Sequence, residues 1–101
     1  DIYSINYFFR AEAVKEVIID TNEIKIRLFD DSEMILTGGE VIEQEKEMFG
    51  AIVTEHELHK NKDKYELHLL MLQRDKNLME ETFYATYSFK DLSLKLNTEA
   101  D

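Results

Sequence analysis

Three histidines and a surplus of carboxylates are the side chains in this sequence best suited to hold a metal or move a proton. His56 and His68 flank the turn-forming stretch Asn61, Lys62, Asp63. If Lys62 centres that loop, the two histidines lie opposite each other on paired strands and share a face. Cross-strand neighbours have Cβ atoms about 5 Å apart, near enough for two imidazoles to share a metal ion. Glu66 or Glu57 would supply an oxygen ligand in a shifted register. A slip of one residue removes the pair, because every side chain then changes face. His59 would stand near the turn, in water. Against the ligand number that a metal site demands, two surface histidines on the polar side of a hairpin are the simpler expectation, and no cofactor is expected.

The other routes to chemistry are thin. Asp30 with Asp31, and Glu80 with Glu81, are adjacent pairs whose members point to opposite faces of an extended chain. General acid–base work needs two carboxylates in different environments within one cleft, and nothing in their spacing builds that. Residues 30–33 lack the alternating oxygen ligands and central glycine of a calcium loop. Serines occur at 4, 32, 88 and 93, none in a glycine-flanked elbow, and there is no cysteine. Gly38 and Gly39 are not followed by the Lys-Ser/Thr of a phosphate loop. The expectation is a protein without a catalytic centre.

Charge says more. Twenty-two acids against twelve bases give a net charge of −10, which disfavours nucleic acid and anionic membrane as partners. The surplus concentrates in residues 30–47, which hold Asp30, Asp31, Glu33, Glu40, Glu43, Glu45 and Glu47 against the single base Lys46. Such a run is either a solvated surface or a contact face for a basic protein, such as a nuclease toxin whose groove a carboxylate patch would block. Glu40, Glu43, Glu45 and Glu47 are the candidate contacts. Tyr84 joins them, because it falls on the polar side of its strand and tyrosine suits interfaces. Two alternatives belong to other classes: a small barrel that holds an apolar ligand, and a homodimer formed through Leu70 and Leu72.

These residues must be positioned by an antiparallel framework. The chain of 101 residues fits one domain, 1–101. It has no proline, three glycines and no apolar run near the ~18 residues of a membrane helix. Residues 1–4 lack the basic flank of a secretory signal, so a cytoplasmic location is expected. Residues 65–74 form the densest apolar run and read as a central strand, covered on both faces towards Leu70 and Leu72. Residues 83–89 alternate most cleanly, with Phe83, Ala85, Tyr87 and Phe89 on one side. Further strands are expected at 24–29, 34–36, 51–60 and 92–96, separated by the turns at 20–23, 30–32, 61–63 and 75–77. Residues 2–19 read as a long bent strand with a bulge near Ala13 and Val14, or else as a helix. Residues 40–49 read as one short helix capped by Gly50, with an exposed edge strand as the rival. The fold expected is mainly β: six or seven strands in a small antiparallel meander that closes into a barrel or a sandwich, with one short helix. The alternative is an α+β fold with residues 2–19 helical.

Overall fold

The computed structural model describes residues 2–11 and 13–97. Among these the chain makes one helix, α1 (Ile2–Ala11), and eight strands: β1 (Val14–Ile19), β2 (Glu23–Leu28), β3 (Glu33–Thr37), β4 (Glu40–Gln44), β5 (Ile52–Asn61), β6 (Lys64–Arg74), β7 (Glu80–Phe89) and β8 (Asp91–Lys95). They form two four-stranded antiparallel sheets, β1-β2-β3-β8 and β4-β7-β6-β5, and neither sheet closes on itself. The mainly β expectation holds, and the arrangement is sandwich-like.

Two meanders supply most of the framework. The runs β1-β2-β3 and β5-β6-β7 pair in sequence through short turns, as the polar clusters between them dictate. The rest is not a meander. β3 pairs with β8, and β4 with β7. These four strands are one long ribbon bent across both sheets. Thr37 faces Asp91 before the bend and Glu40 faces Ser88 after it, so the register crosses the junction without a slip. Gly39 makes the bend possible. A Cβ there would lie 2.5 Å from Phe89 Cα and closer still to the Ser88 carbonyl oxygen. The two glycines therefore break a strand, as expected, but the break is a corner between sheets.

Both ambiguous stretches resolve against the first reading. Residues 2–11 are helical, and the strand begins only at Val14. Ile5, Phe8 and Phe9 share the buried face of α1. A strand would have sent Phe8 to the opposite side from Ile5 and Phe9. Burying each of these side chains is worth roughly 1.5–3 kcal/mol, which outweighs the β preference of Phe and Tyr. The expected bulge is real but lies between Val14 and Glu16. Residues 40–49 are not a helix: β4 is an edge strand, and the chain beyond it runs without regular structure to Ala51. The charged middle of that stretch offers no apolar stripe, whereas Val41 can face Tyr87 across the ribbon.

The core lies between the sheets and beneath α1. Ile24, Ile26, Leu28, Met34 and Leu36 come from one sheet; Leu67, Leu69, Met71, Phe83, Ala85, Tyr87 and Phe89 come from the other. β6 sits between β5 and β7, as its composition implied. Its outer face is not covered, however: Leu70 and Leu72 remain half-buried among side chains of the neighbouring strands.

Candidate binding face

The register of β4-β7-β6-β5 fixes which side chains share its outer face. Phe83, Ala85, Tyr87 and Phe89 point inward, so Thr82, Tyr84, Thr86 and Ser88 point outward. Three rows then run across the sheet. The first is His59, Glu66, Ser88, Glu40. The second is Glu57, His68, Thr86, Glu43. The third is Glu55, Leu70 and Tyr84, continued by Glu45, whose N–H donates to the Tyr84 carbonyl at 3.2 Å. No lysine or arginine stands in these rows. Glu55, Glu57, His68, Leu70, Tyr84 and Thr86 line a shallow groove of about 220 Å³.

The outer face of the other sheet differs. There Arg27 Nη1 donates to Glu16 at 2.6 Å, and Lys25 pairs with Glu33 at 3.6 Å. Charges of both signs alternate and compensate. Within its three rows the β4-β7-β6-β5 face keeps its negative charge, moderated by two imidazoles; beyond them Arg74 pairs with Glu80 at 3.8 Å and Lys46 pairs with Glu81. His59 Nε2 lies 3.0 Å from Glu57 Oε2, and His68 Nε2 lies 3.2 Å from Glu66 Oε1. The His59 and His68 rings meet edge to face with centroids 4.9 Å apart.

The histidine pair that the sequence suggested does not form. The β5–β6 hairpin turns at Lys62 and Asp63, with Lys62 at φ 59°, and Asn61 faces Lys64. The turn is centred between 62 and 63, half a residue from the assumed centre. His68 therefore opposes Glu57, while His56 opposes Leu69 and faces the interior. There its Nε2 lies 2.5 Å from Asn6 Oδ1, and its ring stands 5.1 Å from that of Phe9. Burial, and secondarily the charge of Arg10, hold His56 below the usual imidazole range. It serves as the seat of α1. Among the described residues, no group of three or more His, Asp or Glu side chains is placed to hold a metal ion.

Of the acidic contacts expected, Glu40, Glu43 and Glu45 converge with Tyr84 on one face. Glu47 does not join them. It lies beyond β4, where its carbonyl accepts from Gln73 Nε2 at 3.3 Å. Glu55, Glu57 and Glu66 share the face too, although no run of consecutive acids marks them. The signal was alternation: Glu55 and Glu57 share a strand face, and the hairpin brings Glu66 beside them.

No protein-family model, curated protein or solved structure matches the chain.

Proposed function

We propose that this chain is a non-catalytic binding module whose acidic sheet face engages a basic protein. The observation that carries this reading is the three-row face, where six glutamates drawn from β4, the residue after it, β5 and β6 surround Tyr84 and no basic side chain intervenes. A concentrated negative field steers a positive partner and raises its association rate. Tyr84, 58% exposed beside Leu70 in the third row, supplies an apolar anchor between Glu55 and Glu45. Self-association through Leu70 and Leu72 is disfavoured by the same face, since two copies would set glutamate against glutamate.

The test is capture from a lysate on immobilised protein, compared with a variant carrying Gln at 40, 43, 45 and 57. A control variant carries Gln at 23 and 33, on the other sheet. The reading expects basic proteins on the parent and the control, and their loss from the first variant. Equal capture by all three would end it.

A second reading, an apolar ligand site, is supported by a cavity of about 260 Å³ beside α1, lined by Ile5, Leu58, Tyr65, Phe89 and Leu92, with Lys90 and Asp91 also in its wall. The volume suits only a small molecule. Native mass spectrometry of protein purified from its source would reveal a bound mass.

A further inference from the structure

The two imidazoles of the acidic face stand among carboxylates in an order that ties its charge to pH. Glu57, His59, Glu66 and His68 occupy the corners of a two-by-two array on β5 and β6. Glutamate and histidine alternate around it. His59 shares a strand side with Glu57 and opposes Glu66 across the hairpin; His68 shares a strand side with Glu66 and opposes Glu57. Each Nε2 stands against the glutamate of its own strand, at 3.0 Å for His59 and 3.2 Å for His68. The two side chains are 55% and 42% exposed, so protons reach both rings from solvent. His68 Nδ1 lies 3.5 Å from Thr86 Oγ1, a hydroxyl that donates to the neutral ring and accepts from the charged one.

The groups around the rings come from four strands. β5 supplies Glu55 and Glu57, and β4 supplies Glu40 and Glu43 at the far ends of the rows. β6 supplies Glu66, while Lys64, two residues earlier, continues the same side towards the turn. β7 supplies the uncharged Thr86 and Ser88, and the phenol of Tyr84. The third histidine, His56, faces the interior against Asn6 and takes no part. A proton on either ring therefore meets a glutamate along its own strand and another across the hairpin. These two carboxylates offset the like charge of the neighbouring ring, whose centroid is 4.9 Å away. With both rings charged, two of the six glutamates of the face are neutralised in place. Imidazole is the side chain whose ordinary charge change falls between about pH 5 and 8.

We infer that His59 and His68 form a proton-operated release on the acidic face. Neutral, they leave its glutamates free to hold a basic partner; protonated, they discharge Glu57 and Glu66 and let the partner go. This inference rests on the acidic-module reading and adds the regulation of that same face. The sign follows from charge. A cation binds the unprotonated array better, so affinity falls as pH drops through the imidazole range. Linkage then requires that a bound cation make both rings harder to protonate.

The probe is a decalysine peptide, whose charge is constant between about pH 5.5 and 8. Its affinity for the full chain is measured at low ionic strength at both ends of that window, with circular dichroism confirming the fold at each. The parent should bind roughly fivefold or more weakly at the acid end. A variant with His59→Gln and His68→Gln should bind about equally at both ends. A variant with His59→Lys and His68→Lys should bind weakly at both, because its cations are not discharged. In the parent, the ring resonances of His59 and His68 should titrate at lower pH once decalysine is bound, with those of His56 unmoved. A Gln variant whose affinity falls as the parent's does, or His59 and His68 titrations that ignore the bound peptide, would overturn the release while leaving the acidic face as the site. If decalysine binding at about pH 8 is not weakened by Glu40→Gln, Glu43→Gln and Glu45→Gln together, the function reading falls first and the release falls with it.

Discussion

Gly39→Ala is expected to be the most damaging single methyl that can be added to this chain. Gly39 has no left-handed backbone requirement, so alanine can adopt its dihedrals, and the whole effect is steric. The new Cβ would meet Ser88 carbonyl C and Phe89 Cα at 2.5 Å, against the roughly 3.5–4.0 Å of an ordinary carbon contact. Both are backbone atoms of the opposing ribbon strand, so no side chain can swing aside. The ribbon must part by more than about 1 Å at its corner, because the same Cβ would lie only 1.7 Å from the Ser88 carbonyl oxygen. Parting strains the Lys90 N–H to Thr37 carbonyl bond, now 2.9 Å, and loosens the packing over Phe89, which is 1% exposed. Overpacking of this kind costs about 1–3 kcal/mol, and a weakened hydrogen bond adds about 1. A loss near 3 kcal/mol would lower the thermal midpoint of a domain of this size by about 12–24 °C. Urea unfolding followed by circular dichroism measures it. Gly38→Ala is the matched control. That residue sits at φ 70° and its Cβ would meet only the Lys90 side chain, at 3.1 Å, so the strain should be about 1–2 kcal/mol. If Gly39→Ala costs less than Gly38→Ala, the continuous bent ribbon is wrong.

Three further outcomes follow from the core and its rim. Phe8→Ala should cost about 3–5 kcal/mol in urea unfolding and weaken the helical circular-dichroism signal; a loss below about 1 kcal/mol would show that α1 does not cover the core. His56 is held neutral by burial, so the unfolded chain binds its proton more readily than the native one below the usual imidazole range. Stability should therefore fall as pH drops from 7.5 to 5, and His56→Gln should reduce that fall; parallel pH profiles for the two proteins would contradict the burial. Tyr84→Ala should change stability by no more than about 0.5 kcal/mol, because the ring is exposed; a thermal melt shifted by many degrees would mean that Tyr84 supports the sheet.

The sequence made the strands legible where burial is one-sided. β2 and β3 alternate because each has one buried and one half-exposed face, whereas residues 83–89 alternate in polarity although Thr86 and Ser88 are themselves covered by side chains of the neighbouring strands. Pattern failed where other forces decide. Ile5, Phe8 and Phe9 fit a helix, and Ile5, Tyr7 and Phe9 fit a strand, so only the vacancy above β5 and β6 settles the matter. The eighth strand, β4, is hidden because the glutamates of residues 40–49 and the glycine after them read as a short capped helix. That β3 and β4 pair with β8 and β7 is a long-range fact with no local trace. The candidate face was half legible. Tyr84 follows from alternation, and Glu40 and Glu43 from the acidic run, but a bulge between Val41 and Glu43 is needed to set both on one face, and Glu66 reaches it only through a hairpin register that depends on half a residue at Lys62 and Asp63.

The proposed attraction of a basic protein to the β4-β7-β6-β5 face rests on its array of glutamates. The most direct measurement is the association rate of a captured partner as a function of salt, for the parent and for a variant with Gln at 40, 43, 55 and 57. The account predicts a parent rate that falls steeply with ionic strength, and a variant rate at least about tenfold slower at low salt and nearly flat. Superimposable salt profiles for the two proteins would contradict it.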